Sequence, residues 1–205
     1  AALQRRELEF VPSLPRSHEI ALERVKMGSA LKVIVRLTRR CWPLDFYDAV
    51  CADAFLPEVW LSPAAELMKE DAKPPFTMVG FIAGRRAVRV AKMEHADIAR
   101  QMLAQLDAMF GTTEEPHPAS TACDGFLVKD WSTHPRTYGA YSHPSLRAGD
   151  HRQSLALPAH NRIFFAGEAS HEGVNPCVHG AMETGERAAQ QVAALLDAQP
   201  PRARL

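Results

Sequence analysis

Hydrophobic and polar positions in the first half of the chain follow the two periods that distinguish strands from helices. Alternation among β-branched residues in ALKVIVRL, residues 30–37, predicts a strand, and FTMVGFIAG, residues 76–84, predicts another. Apolar residues three and four apart in EHADIARQMLAQLDAMFG, residues 94–111, predict a long helix. Its apolar stripe consists of Ile98, Met102, Leu106 and Met109. A shorter helix with Ser17 as its cap is predicted in SHEIALERVKM, residues 17–27.

The second half is predicted to contain a polar linker, two strands and a long helix. TTEEPHPASTA, residues 112–122, has the composition of a linker, and GFLVKDW, residues 125–131, predicts a strand. RIFFAGE, residues 162–168, is almost wholly apolar, which is typical of a strand buried on both faces of a mainly parallel sheet. CVHGAMETGERAAQQVAALLDA, residues 177–198, predicts the helix, while RRAVRVAKM, residues 85–93, fits either a helix or a strand. These elements predict a mixed α/β (α+β) fold.

Charge and cysteine usage exclude several function classes. The 205 residues include 24 Lys plus Arg and 24 Asp plus Glu, so no net field attracts nucleic acid or anionic lipid. No run approaches the roughly eighteen apolar residues that span a bilayer. We therefore expect neither a nucleic-acid nor a membrane partner. The four cysteines form no CxxC pair, which disfavours a zinc cluster or a disulfide framework and makes a reducing, cytoplasmic compartment the default expectation.

Histidines are frequent near the carboxyl end of the chain. Six of them lie between residues 134 and 179, at spacings of about eight to eleven residues. These spacings match neither HxxxH nor a Cys/His cluster. We therefore expect scattered loop histidines and no metal site.

The most specific chemical pattern joins the end of the predicted strand 162–168 to the helix that follows. Gly167 and Glu168 end that strand, where open α/β sheets hold ligands, and a carboxylate there can accept hydrogen bonds from ribose-like hydroxyls. The helix opens at Val178, and Gly180 permits close approach to its backbone. The free N–H groups of a helix start suit a phosphate or an electron-rich ring edge. The pattern therefore predicts one half of a cofactor site.

This pattern, FFAGE followed by NPCVHGAMETGERAA, resembles the C-terminal flavin-binding signature of the FAD-dependent amine oxidases. That family includes monoamine and polyamine oxidases and the flavin-type histone lysine demethylases. Other stretches agree in order: EFVPSLP, GSALKVIVRLTRRCW, GFIAG and DWSTHPRTYGAYS. The resemblance covers residues 9 to 196 or so. It implies a portion of the substrate-binding domain, a mixed sheet with helices, in residues 1–122, and the C-terminal strand and helix of the FAD-binding domain in residues 123–205.

Two residues receive catalytic roles from the resemblance. Lys32 matches the lysine that holds a water against flavin N5 in many members of the family. Tyr141 matches an aromatic residue that lines the path of the substrate amine. Members with covalent flavin attach it through a cysteine just before this tyrosine, but here that position is Ala140. The resemblance therefore implies non-covalent FAD.

Five residues receive cofactor-binding roles in the same way. Glu168, preceded by Gly167, matches the carboxylate that binds the ribityl or ribose region. Val178 matches the residue whose backbone N–H meets the pyrimidine edge of the flavin, and Trp131 is expected to pack near the ring system. Cys177 faces Tyr141, at a position where other members carry an aromatic residue or a threonine.

The activity that the resemblance implies is oxidation of an amine C–N bond to an imine, with dioxygen as acceptor and hydrogen peroxide as product. The imine then hydrolyses to a carbonyl compound. The substrate is expected to be a small-molecule amine that is uncharged or weakly charged. One alternative is another flavin oxidoreductase of the same fold, such as a carotenoid desaturase or protoporphyrinogen oxidase relative. The other alternative is a non-catalytic interaction module that retains half of the fold.

The sequence departs from the family in its nucleotide-binding element. None of the eleven glycines falls in the GxGxxG spacing that holds the dinucleotide in relatives. Three explanations follow: a fragment of a longer enzyme, one subunit of an enzyme whose halves are separate chains, or a degenerate protein. The first two explanations imply the missing N-terminal FAD-binding half as a partner. The other expected partner is a second copy of the chain, which would assemble the site without that half.

Overall fold

A computed structural model describes residues 1–145, 149–174 and 176–198; for residues 64 and 65 it describes the backbone alone. The described chain divides into two compact units. One unit is the contiguous segment Ser29–His134. The other combines Ala1–Gly28 with the chain from Pro135 onward. The division between substrate and flavin-binding domains at residues 122 and 123 stays a prediction, because it concerns function, whereas the compact units divide after residues 28 and 134.

The described residues form seven α-helices, one short 3-10 helix at Glu168–Ser170 and seven strands with a mixed α/β character, which confirms the predicted fold class. In chain order these elements are α1 Arg16–Arg24, β1 Val25–Met27, β2 Ala30–Leu37, β3 Asp48–Val50, β4 Glu58–Leu61, α2 Ala64–Leu67, β5 Phe76–Ala83, α3 Gly84–Val90, α4 His95–Phe110, α5 Pro118–Ala122, β6 Cys123–Asp130, β7 Ser142–Pro144, α6 His151–Ala156 and α7 Val178–Asp197.

The contiguous unit is built on a five-stranded sheet. The strand order is β3-β4-β5-β2-β6, and every neighbouring pair is antiparallel. Alternate residues of β2 are buried on one face, as the pattern of ALKVIVRL predicts. Helix α4 contributes Ile98, Met102 and Leu106 to the same core, and each of these side chains is fully buried. The sequence therefore predicts both the central strand and the helix that contributes to its core.

Gly80 in β5 is a position where the sheet packs closely. A Cβ atom added there would lie 2.3 Å from Cδ1 of Leu56 and 3.2 Å from Sδ of Met102. Because no real Cβ sits so close to another carbon, this position requires glycine or a shift of Leu56. The glycine in FTMVGFIAG therefore has a packing role inside the strand.

The second unit contains two strands, three α-helices and the short 3-10 helix among its described residues. Strands β1 and β7 pair antiparallel, with Met27 opposite Ser142. The small apolar core joins Ala21 and Val25 to Leu155 of α6. His18 of α1 is buried, and its Nε2 donates to the carbonyl oxygen of Leu157 at 2.9 Å. This hydrogen bond ties α1 to the end of α6.

Three local predictions differ from the structure. The predicted polar linker 112–122 contains the short helix α5, whose Ala119 is fully buried. Residues 162–168 were predicted as a strand, but among the described residues this segment pairs only through an isolated bridge between Ala159 and Ile163. The reason is that a strand exists only with a hydrogen-bonding neighbour. The helix predicted over residues 17–27 ends at Arg24, and residues 25–27 form β1; Ser17 lies inside α1, where Pro15 takes the cap position.

Residues 85–93 illustrate how the structure decides an open alternative. Most of this segment is the helix α3, which begins at Gly84 with a φ of 64°. The backbone N–H of Gly84 donates to the carbonyl of Ser29 at 2.8 Å. The left-handed glycine turns the chain out of β5 and into the helix. Among the helices that the structure describes, none is long and apolar enough to cross a membrane.

Candidate functional site

The start of α7 is open to a ligand. Val178 is the first helical residue and is 79% exposed. The first turn carries no acidic side chain, and Cys177 at the cap position makes no side-chain cap in the described structure. The first backbone hydrogen bond of the helix runs from Ala181 N–H to the carbonyl of Cys177 at 3.2 Å. The preceding N–H groups therefore carry the partial positive charge that a helix presents at its amino end.

Gly167 and Glu168 lie against the same helix. The backbone N–H of Gly167 donates to Oγ1 of Thr184 at 2.9 Å, and Thr184 is fully buried on α7. Gly167 has a φ of 132°, and a Cβ atom there would meet nothing within 4 Å. Its backbone conformation favours glycine, and the space beside it is open. Gly167 thus brings the chain next to the helix and leaves room there.

The Glu168 carboxylate is held by Ser142. One carboxylate oxygen accepts the Ser142 N–H at 2.9 Å, and the other accepts the Ser142 hydroxyl at 2.7 Å. Buried Arg152 donates to the Ser142 hydroxyl oxygen at 2.8 Å and to the carbonyl oxygens of Glu168 and Ala169. Burial lowers the pKa of Arg152, and the negative charge of Glu168 opposes that shift. A fixed, partly exposed carboxylate results, with lone pairs left over for a further donor.

Tyr141 is placed by the strand pair that joins the two segments of this unit. Its carbonyl oxygen accepts the N–H of Gly28 at 2.7 Å, and the N–H of Ala140 donates to the Gly28 carbonyl at 2.9 Å. A Cβ atom on Gly28 would lie 3.2 Å from the Tyr141 carbonyl oxygen and 3.4 Å from its ring. The half-buried tyrosine is adjacent in sequence to Ser142, so the chain brings Tyr141 and Glu168 into one neighbourhood.

Arg187 fastens the segment around Glu168 to the middle of α7. Its guanidinium donates to the carbonyl oxygen of Phe165 at 2.7 Å and to the carbonyl and hydroxyl oxygens of Ser170, both at 3.0 Å. Burial lowers the pKa of Arg187, and the charge of Glu172 opposes the shift. Residues 165–170 are therefore attached to α7 by side-chain hydrogen bonds, although they do not pair with a strand.

Lys32 lies in β2 of the contiguous unit, on the sheet face opposite the buried core. Its neighbours across the sheet are Phe81 on β5 and Lys129 on β6. The Lys32 ammonium lies 5.4 Å from the centroid of the Trp60 ring, which is a cation–π distance. The half-buried lysine therefore sits beside aromatic side chains, with its charge directed over one of them.

Trp131 follows β6 in the same unit and is half-buried. Its backbone N–H donates to the carbonyl of Ala30 at 3.1 Å, which extends the sheet by one residue. The ring lies 5.7 Å from that of His134, and the Lys129 ammonium is 5.5 Å from its centroid. Trp131 is thus an ordered aromatic residue at the end of the strand.

Five of the seven residues singled out from the sequence lie in one compact unit. Tyr141, Gly167, Glu168, Cys177 and Val178 belong to one unit, and Lys32 and Trp131 belong to the other. The sequence did not reveal Ser142, Arg152, His171, Thr184 or Arg187 as site residues. Thr184 and Arg187 are polar residues three apart on α7, and this spacing is the one feature of the sequence that places them on a shared face of the helix. Arg152 gave no signal, because nothing in its local sequence predicts burial.

A metal centre is not evident in the part of the chain that the structure describes. No group of three or more His, Cys, Asp or Glu side chains there could hold an ion. The four cysteines of the chain are free thiols: Cys41, Cys51, Cys123 and Cys177.

Comparisons with known proteins agree on one family. The chain matches the family model described as flavin containing amine oxidoreductase over residues 1–193. It is 27% identical over 201 residues to lysine-specific histone demethylase 1 homolog 1 of Oryza sativa subsp. japonica, with 93% of this chain and 22% of that protein covered. It is 29% identical over 190 residues to flavin-containing amine oxidase A of Bos taurus, with 91% and 34% covered.

A solved structure shows the same fold. Cyclohexylamine oxidase from Brevibacterium oxydans IH-35A superposes with a TM-score of 0.71 at 23% identity, over 95% of this chain and 41% of that chain. The chain therefore spans between about a fifth and two fifths of the length of these three proteins.

Proposed function

Because this chain belongs to the family of flavin-containing amine oxidoreductases, we propose that it forms part of a site for FAD-dependent oxidation of a small-molecule amine. The amine loses a hydride from its α-carbon and a proton from its nitrogen as the C=N bond of an imine forms. Dioxygen takes up two electrons and two protons and leaves as hydrogen peroxide. Water then converts the imine to a carbonyl compound and releases an amine or ammonia.

The observation that carries this proposal is that the fixed Glu168 carboxylate and the exposed start of α7 lie in the same compact unit. A fixed carboxylate suits sugar-like hydroxyls, which are hydrogen-bond donors, and exposed helix N–H groups suit the carbonyl-rich edge of a flavin. A Cβ atom on Gly167 would meet nothing within 4 Å, so there is open space next to Glu168. The residues of this unit therefore fit the isoalloxazine and ribityl parts of FAD.

The individual roles follow from what each residue presents. Glu168 would accept hydrogen bonds from the ribityl or ribose region, and the Val178 N–H would donate to the pyrimidine edge. Tyr141 would line the path of the amine, with Cys177 facing it, and Trp131 would pack near the ring system. Lys32 would hold a water. When bound, the flavin supplies the two-electron redox chemistry.

The mode of attachment follows from residue 140. Ala140 has no nucleophilic side chain, and its backbone N–H is engaged with Gly28. We therefore expect the flavin to be bound without a covalent bond. Acid precipitation of a flavin-loaded sample is expected to release all of the yellow colour into the supernatant.

Residues that hold the adenine dinucleotide part would come from further polypeptide, since the sequence lacks the GxGxxG turn. That polypeptide would be a nucleotide-binding half; a second copy of the chain lacks the same turn and would have to supply other residues. The experiment that tests the proposed function measures FAD binding by fluorescence quenching, with Glu168→Gln and the exposed Glu186→Gln as a matched pair. We expect Glu168→Gln to weaken binding by about tenfold and Glu186→Gln to leave it unchanged.

Amine-dependent release of hydrogen peroxide from the flavin-loaded protein tests the reaction itself. FAD binding without turnover of any primary, secondary or polyamine substrate would favour the non-catalytic alternative. Turnover of an unsaturated hydrocarbon or porphyrinogen in place of an amine would favour another flavin oxidoreductase of this fold.

A further inference from the structure

Both ring nitrogens of His171 are engaged, one with a loop and the other with α7. Nδ1 accepts the backbone N–H groups of Gly173 at 3.1 Å and Val174 at 2.8 Å. Nε2 lies 2.7 Å from the carboxylate of Glu183 on the helix. Because Nδ1 is the acceptor, the ring proton sits on Nε2 and is donated to Glu183. The imidazole therefore connects the loop amides to the helix.

The loop can lie on the first turn of α7 only because residue 180 is glycine. A Cβ atom on Gly180 would lie 2.1 Å from the carbonyl oxygen of Val174 and 3.6 Å from Cγ of His171. Real Cβ atoms do not approach a carbonyl oxygen so closely. His171 and Gly180 therefore hold the same loop against the helix backbone.

One face of α7 makes all of these attachments. Residues 180, 183, 184 and 187 are three or four apart, so they share a face of the helix. Thr184 and Arg187 bind residues 165–170 around Glu168. Glu183 is hydrogen-bonded to His171, and Gly180 leaves room for the carbonyl of Val174. His171 in turn holds Gly173 and Val174, which precede the helix start.

We propose that His171 is a positioning residue of the flavin site. Its imidazole holds Gly173 and Val174 to Glu183 and so sets where the Cys177–Val178 backbone lies relative to Glu168. The identity of the ligand rests on the proposed function, whereas the anchoring of the helix start does not. His171 acts through the loop and is assigned no contact with the flavin or the amine.

Three substitutions of His171 distinguish the contact made by Nδ1 from the contact made by Nε2. His171→Asn places an oxygen near the position of Nδ1 and keeps an acceptor for the loop, but it does not reach Glu183. His171→Gln reaches Glu183 with its amide and gives up the loop acceptor. His171→Ala removes both contacts. His95→Ala is the matched control, because His95 is an exposed histidine in the first turn of another long helix, α4.

The first measurement is hydrogen exchange of residues 173–181 in the flavin-free chain, and the second is the FAD dissociation constant. We expect His171→Ala to raise exchange of residues 173–181 and to weaken FAD binding, each by about tenfold. His171→Asn should restore slow exchange at Gly173 and Val174 and recover most of the affinity. The melting temperature should stay within about 2 °C throughout, which separates positioning from loss of the fold.

Two results would overturn the inference. One is unchanged exchange of residues 173–181 in His171→Ala, and the other is raised exchange with an unchanged FAD dissociation constant. A wild-type chain that binds no FAD, either alone or together with a nucleotide-binding half, contradicts the proposed function instead, and exchange of residues 173–181 then decides by itself whether His171 anchors the helix start.

Discussion

Buried and half-buried polar side chains carry most of the information about chemistry in this chain. Lys32 and Lys129 are cross-strand neighbours, each beside a tryptophan ring, yet only Lys32 occupies the position that the family resemblance makes catalytic. Since both are half-buried lysines in one row of a sheet, they form a matched pair. A catalytic role for Lys32 can therefore be separated from a general effect of positive charge.

The Lys32→Met substitution is expected to slow amine oxidation by at least about a hundredfold, because it removes the group that we propose holds a water near the reacting atoms. The methionine keeps the apolar stem against Trp60, so FAD binding should stay within about threefold of wild type. Lys129→Met should leave both quantities nearly unchanged. Steady-state peroxide release and flavin titration measure the two effects. Equal loss of rate in both variants would assign the effect to charge alone.

The Cys41 thiol is a second residue-scale case. Burial raises the pKa of Cys41 to about 11, against the opposing influence of the nearby Arg39 cation. At pH 8 about one thiol in a thousand is then the reactive thiolate, compared with about a quarter in an unfolded chain. We expect iodoacetamide to modify Cys41 at least about a hundredfold more slowly in the native protein than in denaturant.

Peptide mass spectrometry over a pH series measures this rate for Cys41. The native rate should rise by about tenfold per pH unit between pH 8 and pH 10, because the thiolate fraction rises in that proportion below the pKa. A native rate at pH 8 that equals the rate in denaturant would contradict the raised pKa.

At the scale of elements, α5 shows how a side chain from one helix can create another. The Asp107 carboxylate, on α4, accepts the backbone N–H groups of Ala119 at 2.7 Å and Ser120 at 3.0 Å, as well as the Ser120 hydroxyl. Two N–H groups at the start of α5 are thereby satisfied by a carboxylate distant in sequence. The short helix therefore depends on α4.

Asp107→Ala is expected to lower the free energy of unfolding by about 2–3 kcal/mol, because it leaves buried N–H groups without an acceptor. Asp97→Ala is the control on the same helix. Asp97 pairs with Arg100 near the surface, so its loss should cost no more than about 0.5 kcal/mol. Urea titrations of both variants measure the difference. Equal destabilisation would contradict the capping role of Asp107.

The elements that the sequence predicts well are those whose reasons are local. Alternation in β2 and the apolar stripe of α4 lie within single segments, so pattern alone is sufficient. Helix α5 was predicted as linker because its acceptor, Asp107, is contributed by α4. The apolar segment 162–168 looked like a buried strand, but a strand also requires a neighbour, which a sequence pattern does not supply.

The same reasoning separates the residues that the sequence singles out from those that only the structure connects to them. Gly167, Glu168 and Val178 fall in one specific motif, so the sequence predicts their proximity. Ser142 and Arg152 complete the Glu168 carboxylate site from elsewhere in the chain, and no periodicity marks them. Residues that act through another side chain can be identified only when the three-dimensional structure is known.

At the scale of the whole molecule, the two units differ sharply in apolar core. The main cluster of 20 buried residues lies wholly between Leu31 and Val128, in the contiguous unit. In the described part of the other unit, the buried apolar cluster has three residues. Hydrogen bonds from the side chains of Arg152 and Arg187 connect other segments of this unit. Burial of apolar surface is the main source of stability. The contiguous unit should therefore be the more stable one.

We expect the two units to lose structure at different urea concentrations. Exchange protection of α1 and α7 should disappear first, followed by that of β2 and β5, because sub-global opening follows the distribution of buried contacts. All three tryptophans lie in the contiguous unit, so tryptophan fluorescence should report only the later transition. Hydrogen exchange and fluorescence over one urea series measure both transitions.

A matched pair of core substitutions sharpens this test. Leu106→Ala in the contiguous unit should move the fluorescence transition to lower urea by a loss of about 2–5 kcal/mol, with little change in the protection of α7. Leu155→Ala in the other unit should do the reverse, because its side chain belongs to the smaller cluster. A single transition, shifted equally by both substitutions, would mean that the chain unfolds as one cooperative body despite its two compact units.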